Sequence, residues 1–214
     1  MRTRRTRVKI CGITNAEDAL AAVKAGADAL GVVLTDGPRQ VTLDEAAEAL
    51  VPVPPFVARV GVFVDAEPAF VEEAARRLGL AALQFHGDES PRECADAPAP
   101  VVKAIHVREG GGMEADLAAY RGVAAAFLLD TFVRGTNGGT GVTFAWDELP
   151  PMPEWAPVIV AGGLTPVNVG AAIRSLLPFA VDVSSGVEER RRHKDHQKLR
   201  AFVAAVHAAD SEVR

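Results

Sequence analysis

The chain has 214 residues, 49% of them hydrophobic and 24% charged, and can therefore bury the core of one ordinary soluble domain. No apolar run approaches the roughly 18 residues of a membrane-crossing helix, and the basic start lacks the apolar stretch of a secretory signal. The net charge is −5, and its positive clusters lie in residues 1–7 and in "ERRRHK" at 189–194, where a frayed tail and a solvated loop are expected. Nucleic acid and membrane are therefore disfavoured as partners. The two cysteines predict reduced thiols in a cytoplasmic protein.

Short runs of Val, Ile, Leu and Phe alternate along the chain with Ala- and Glu-rich stretches of helical period, which is typical of strand-helix units around a parallel sheet. Strands are predicted at 8–13, 29–34, 58–64, 82–87, 101–107, 126–131, 158–163 and 180–186. The first helix is capped by Thr14 or Asn15 and stopped by Gly26. Further helices are predicted at 42–51, 67–78, 89–96, 113–120, 166–176 and 195–209, with a short piece at 143–148.

Eight such strands in about 200 residues predict an α/β fold, a closed (β/α)8 TIM barrel near its minimum size. We expect one compact domain over residues 1–214, in which residues 1–7 form a flexible basic tail. An open doubly wound sheet is the alternative, but the first strand is not followed by the GxGxxG turn typical of that fold.

Active sites of such barrels lie at the carboxyl ends of the strands, and polar residues or glycines interrupt the apolar runs there. These residues are Lys9, Cys11, Arg39, Gln84, His86, Asp130, Gly162, Gly163, Asp182, Ser184 and Ser185.

The segments after the last two strands favour phosphate binding. "AGGLTPVN" at 161–168 places two glycines before Thr165 and Pro166, which suit the first positions of a helix, and "SSGVE" at 184–188 adds amides and hydroxyls. Loops seven and eight commonly hold a phosphate in barrels of this type. "NGGTG" at 137–141 is either a flap that closes on a ligand or an ordinary loop.

Two residues are candidates for proton transfer. Asp130 ends an apolar run and is expected to keep its proton, which suits a general acid, although a helix cap or surface turn is the alternative. Strand alternation places Lys9 on the same side as Cys11, where a cation favours the thiolate needed in a base, although inert core packing is the alternative. His193 and His196 are three apart, but we expect them on a solvated face.

Six motifs, in this order along the chain, resemble the phosphoribosylanthranilate isomerase family of tryptophan biosynthesis. They are "VKICGIT" at 8–14, "QFHGDE" at 84–89, "LLDT" at 128–131, "GGTG" at 138–141, "AGGLTPVNV" at 161–169 and "VDVSSGVE" at 181–188. The resemblance implies an Amadori rearrangement of N-(5-phosphoribosyl)anthranilate to 1-(2-carboxyphenylamino)-1-deoxyribulose 5-phosphate. It implies no metal and no organic cofactor, a small-molecule substrate as partner, and a monomer or a homodimer.

The resemblance also implies a role for each matching residue. Cys11 would be the general base, Asp130 the general acid, and Arg39 the group that holds the anthranilate carboxylate. The phosphate would be bound by Gly162, Gly163, Ser184, Ser185 and Gly186, and the pocket would be lined by Lys9, His86, Gly139 and Asp182. The loop before Arg39 departs from the family, because Gly37 stands where a serine is usual and Leu34 and Thr35 where an aromatic is usual.

Two other functions remain open. A related barrel enzyme acting on an aminoimidazole or indole substrate could use the altered loop around Gly37. A non-catalytic paralogue could keep the phosphate loops and bind a phosphosugar without converting it. Turnover of phosphoribosylanthranilate separates these functions from the isomerase.

Overall fold

The computed structural model describes residues 5–106, 112–130, 153 and 155–213. Eight strands form its centre: β1 (Arg7–Cys11), β2 (Ala29–Val33), β3 (Ala58–Phe63), β4 (Ala82–Phe85), β5 (Val101–His106), β6 (Ala126–Asp130), β7 (Val158–Ala161) and β8 (Ala180–Val183). Each lies within one residue of its predicted start. β1, β4, β7 and β8 end two or three residues before their predicted ends, because the glycines and polar residues that follow the apolar runs already lie outside the strands. β2 and β3 end one residue early, and the last predicted residues of β5 and β6 lie outside the described part of the chain.

Seven helices surround the strands in the described residues. They are α1 (Ala16–Ala25), α2 (Leu43–Leu50), α3 (Pro68–Leu78), α4 (Pro91–Ala95), α5 (Met113–Ala119), α6 (Val169–Leu176) and α7 (His196–Glu212). The short helix predicted at 143–148 lies outside the described residues.

The eight strands form a closed barrel in sequence order, with every neighbouring pair parallel. β8 returns to β1, and in that pairing Lys9 is level with Asp182. The predicted (β/α)8 barrel is therefore confirmed, and the open-sheet alternative is wrong. Parallel closure brings all eight carboxyl ends to one mouth, where residues distant in sequence meet.

Local sequence explains where the helices begin. Asn15 caps α1 by accepting a hydrogen bond from the Asp18 backbone N–H at 2.8 Å. Thr42 and Glu45 form a capping box at α2, and Ser90 and Glu93 form another at α4. Each box satisfies backbone N–H groups that the first turn of a helix leaves unpaired.

The main core fills the layer between the outer face of the barrel and the helices. Its largest buried side chains include Phe63 of β3, Leu83 of β4 and Phe202 of α7. Each contributes about 1.5–3 kcal/mol by leaving water. This packing fixes the strands and, with them, the residues at their carboxyl ends.

The expectation of a flexible tail over residues 1–7 is wrong for residues 5–7. Arg7 begins β1, and Thr6 is fully buried, where its backbone N–H and hydroxyl donate to the Asp210 carboxylate at 2.6 and 2.7 Å. Arg5 pairs with Asp28. Composition alone could not reveal Asp210, which comes from the far end of the sequence. Residues 1–4 lie outside the described part of the chain.

The segment between β8 and α7 holds structure that the sequence did not predict. A short 3₁₀ helix (Ser185–Val187) leads into a hairpin of β9 (Glu188–Arg190) and β10 (His193–Lys194). The run at 189–194, expected as a solvated loop, therefore ends in a strand residue, Lys194, that is buried. Among the described helices, none has the length and apolar character needed to span a membrane.

Candidate active site

A buried ion pair lies beneath the mouth where β1 meets β8. Lys9 Nζ is 3.0 Å from Asp182 Oδ1, and both side chains are less than a tenth exposed. Cys11 follows two residues later on the same side of β1, as alternation predicts, and is also buried. A side chain at Gly31 on β2 would collide with the Cys11 sulfur and crowd the Lys9 amine, so this glycine makes room for both groups.

Burial and the charges around Cys11 have opposing effects on the pKa of its thiol. Burial raises the pKa of Cys11 because the charged thiolate loses its hydration, Lys9 and Lys194 act in the opposite direction, and Asp182 adds to the rise. The expectation that Lys9 favours the thiolate is correct for Lys9 alone, but the net shift is upward. The pKa of Lys9 itself is raised, because Asp182 and Cys11 outweigh the cost of burying its charge.

Arg39 enters the site from the loop after β2. Its Nε and Nη2 donate to the two carboxylate oxygens of Glu188 at 2.7 and 2.6 Å, which is a bidentate pair. A Cβ added to Gly12 would clash with Arg39 and with the Ser184 hydroxyl, so β1, the β2 loop and the β8 loop meet at this point. The guanidinium is thus held beside the loop after β8.

Glu188 and Lys194 also belong to this group of side chains, although neither was predicted from the sequence. Lys194 Nζ donates to the Ser184 carbonyl at 3.0 Å and lies 3.4 Å from Glu188 Oε1. Burial lowers the pKa of Lys194, although Glu188 and Cys11 oppose that shift. For Glu188, burial favours the neutral acid, but Arg39 and Lys194 prevail and lower its pKa. The "VDVSSGVE" motif, which ends at Glu188, was the one pattern that pointed to this residue. Lys194 lies in a run of charged residues, and such a run does not indicate that one of its members is buried.

His86 and Asp130 lie together at the ends of β4 and β6. His86 Nε2 is 3.3 Å from Asp130 Oδ2, and each side chain is about one fifth exposed. The Gln84 amide nitrogen is 2.9 Å from the other ring nitrogen, Nδ1, of His86. This contact orients the imidazole toward the carboxyl group, so His86 and Asp130 can interact directly.

The loops after β7 and β8 touch each other. Gly162 and Gly163 have φ of 88° and 64°, a region that disfavours side chains, and nothing described lies within 4 Å of a Cβ added to Gly163. At Gly186 a Cβ would come within 1.8 Å of the Leu164 carbonyl oxygen. The expectation that Thr165 and Pro166 start the next helix is wrong, because a turn over these residues precedes α6, whose N-cap is Asn168. Gly139 lies outside the described residues.

Replacing Gly186 with alanine is expected to destabilise the protein, because the added methyl group would overlap the Leu164 carbonyl. The loss is roughly 2–3 kcal/mol, which lowers the Tm by about 5 °C or more in a chain of this size. Thermal unfolding followed by circular dichroism measures it. Gly170→Ala in α6 is the matched control, since its methyl would meet the flexible end of Arg174 and make an ordinary van der Waals contact with Ala209, and alanine favours a helix. Equal Tm values for the two variants would contradict the contact between the loops.

A family model described as N-(5'-phosphoribosyl)anthranilate (PRA) isomerase matches residues 8–205. The chain belongs to the phosphoribosylanthranilate isomerase family. It is 51% identical over 201 residues to the N-(5'-phosphoribosyl)anthranilate isomerase of Pseudomonas fluorescens, covering 94% of this chain and 95% of that protein. It is also 51% identical over 208 residues to the enzyme of that name from Thiobacillus denitrificans, covering 95% and 98% of the two chains.

Solved structures of phosphoribosylanthranilate isomerases share the fold. The Thermotoga maritima enzyme superposes with a TM-score of 0.87 at 42% identity, covering 95% of this chain and 99% of that one. A second, with a TM-score of 0.84, 40% identity and the same coverage, is a complex with reduced 1-(o-carboxyphenylamino)-1-deoxyribulose 5-phosphate. A third, with a TM-score of 0.83 and 39% identity over the same shares, is of monomers generated from the dimeric Thermotoga maritima protein.

Proposed function

We propose that this chain converts N-(5'-phosphoribosyl)anthranilate into 1-(2-carboxyphenylamino)-1-deoxyribulose 5-phosphate in tryptophan biosynthesis. The observation that carries the proposal is the joint placement of Cys11, Asp130 and the glycine loops after β7 and β8 at the mouth of a barrel of this family. The chemistry needs one acid, one base and a phosphate anchor, and these residues can supply all three.

The rearrangement moves protons and makes no use of an external oxidant or reductant. Asp130 gives a proton to the ring oxygen of the sugar as the bond between that oxygen and C1 breaks, and the nitrogen lone pair forms an iminium ion with C1. The positive charge acidifies the hydrogen on C2, which the Cys11 thiolate removes. The resulting enolamine tautomerises to the ketone. Carbon C1 is reduced as C2 is oxidised, so the reaction balances within the substrate.

Different groups bind the two ends of the substrate. In this proposal the backbone N–H groups around Gly162, Gly163 and the segment Ser184–Gly186 bind the phosphate. Arg39 uses the edge of its guanidinium that Glu188 leaves free to bind the anthranilate carboxylate. Lys9 and Asp182 line the pocket beside the reacting carbons, and Lys9 limits the cost of a thiolate on Cys11.

Replacing Arg39 with alanine is expected to raise KM by roughly tenfold or more while kcat changes much less, because a carboxylate clamp binds ground and transition states alike. Steady-state kinetics measure both constants. Arg77→Ala is the control, since Arg77 pairs with Asp44 on the exposed surface of α3 and should leave both constants unchanged. A fall in kcat at constant KM would contradict the proposed role of Arg39.

The direct test of function is the loss of fluorescence when purified protein meets freshly made phosphoribosylanthranilate. Turnover supports the proposal. No turnover with this substrate, but conversion of an aminoimidazole analogue, would overturn it in favour of the related barrel enzyme. Binding of the substrate without any turnover would instead favour the non-catalytic paralogue.

The free thiols of Cys11 and Cys94 and a metabolite as substrate support a cytoplasmic location. Cys11 must stay reduced to act as a base, which a reducing compartment ensures. We therefore place the reaction in the cytoplasm, with the phosphosugar as the partner of the site.

A further inference from the structure

Three side chains of the types that bind transition metals lie at the ends of neighbouring strands. His86 follows β4, while His106 and Asp130 are the last residues of β5 and β6 and are level with each other in the sheet. Each offers one ligand atom, and these atoms all lie within 4.8 Å of one another. The proposed reaction uses Asp130 as the acid and leaves His106 without a role.

The separation of one pair of these atoms matches a tetrahedral zinc site, and the remaining separations are no longer than 4.8 Å. With Zn–N and Zn–O bonds of about 2.0–2.1 Å, two ligand atoms are separated by roughly 3.3 Å, and His86 Nε2 is 3.3 Å from Asp130 Oδ2. The rings of His86 and His106 are 5.3 Å apart between centroids and steeply inclined. His106 is exposed and can adjust its torsions to complete the set. Two imidazoles and a carboxylate leave the fourth position open.

Gln84 supplies the support that a zinc-bound histidine needs. A ligating imidazole usually donates its second N–H to an oxygen, which fixes the ring and makes it a better ligand. Gln84 is 2% exposed, and its amide oxygen has no hydrogen-bond partner among the described residues, while its amide nitrogen faces His86 Nδ1. Rotating this amide by half a turn pairs the oxygen with the Nδ1 hydrogen and directs the lone pair of Nε2 toward the metal.

We propose that His86, His106 and Asp130 bind Zn²⁺ and that the bound ion inhibits the isomerase. The inhibitory half rests on the proposed function, because zinc would occupy the carboxylate of the general acid. Zn²⁺ fits this mixture of imidazole and carboxylate donors better than Mg²⁺ or Ca²⁺, which prefer oxygen.

The binding half is tested without an activity assay. The proteins compared are the wild type, His106→Ala and the control His207→Ala. Isothermal titration calorimetry measures their affinity for Zn²⁺, and the visible absorption of bound Co²⁺ reports whether the coordination is tetrahedral. His207 lies on the exposed face of α7, outside the cluster. We expect His106→Ala to weaken binding by roughly tenfold or more, with no change in His207→Ala. Undiminished affinity in His106→Ala, or no binding by the wild type, would overturn the site.

The inhibitory half is tested by turnover of phosphoribosylanthranilate over a range of zinc concentrations, after a chelator has stripped the protein. We expect wild type and His207→Ala to lose activity together, and His106→Ala to keep normal basal activity and need roughly tenfold or more zinc for the same loss. Equal sensitivity of all three proteins would overturn the proposal by placing the inhibition elsewhere. Zinc binding in the expected pattern by a protein with no metal-free activity would overturn the proposed function and the inhibitory role, and would support the metal site.

Discussion

Cys11→Ala is expected to lower kcat by at least roughly a hundredfold, because the hydrogen on C2 of the iminium intermediate then has no base within reach. The substitution also removes a buried sulfur beside Gly31, but alanine fits the same space, so substrate binding should persist. Steady-state kinetics separate the two effects, with kcat lost and KM nearly kept.

Cys94→Ala is the matched control for this variant. Cys94 is the second buried thiol, it lies in α4, and burial raises its pKa to about 11. Its loss should affect stability and leave kcat unchanged. A kcat for Cys11→Ala within a few fold of the wild type would remove the thiol from the mechanism.

The raised pKa of Cys11 gives the wild-type reaction a pH dependence. Only the thiolate acts as a base, and burial raises the pKa of Cys11, so the thiolate forms at a higher pH. The part of the pH profile of kcat/KM that is controlled by Cys11 should therefore rise as the pH increases above neutrality. In Cys11→Ala this rise should disappear from the residual activity. A profile that falls through this range in the wild type would contradict the thiolate as base.

Asp130→Asn is the second substitution with a large expected effect. The amide has the shape of the acid but no proton to donate, so ring opening should slow and kcat should fall by at least roughly a hundredfold. The contact with His86 at 3.3 Å can be kept by the amide oxygen, which limits structural damage. Rapid kinetics should show that the slowed step is ring opening, which comes before removal of the C2 proton.

Asp96→Asn provides the control for charge removal. Asp96 lies on the exposed surface, where its carboxylate makes a long contact of 3.6 Å to Arg92, and its substitution should leave kcat unchanged. If Asp130→Asn retained most of its turnover, the general acid would have to be sought elsewhere at the mouth. If both variants lost activity equally, the effect would be one of net charge.

Much of the fold could be predicted from the sequence because each strand is a short apolar run bounded by turn residues. The period-two alternation also placed Lys9 beside Cys11 correctly. Predicting the end of each strand was harder, since Gly162 and Gly163 extend the apolar run at 158–163 yet adopt backbone angles that end β7.

The electrostatics of the site could not be predicted from local patterns. The Lys9 cation was visible in the sequence, but the burial of Cys11 and the position of Asp182 across the β1–β8 pairing depend on closure of the barrel. Lys194 was hidden for the same reason, because a charged run such as 189–194 is usually solvated, and only the hairpin before α7 turns this lysine inward.

The pairing of β1 with β8 joins two distant parts of the chain beside Cys11. Lys9 gains its counter-ion only when β8, which carries Asp182, has docked beside β1. Fragments that end before β8 would carry the Cys11 thiol without the Lys9–Asp182 ion pair beside it. The electrostatic surroundings of this thiol therefore depend on closure of the barrel.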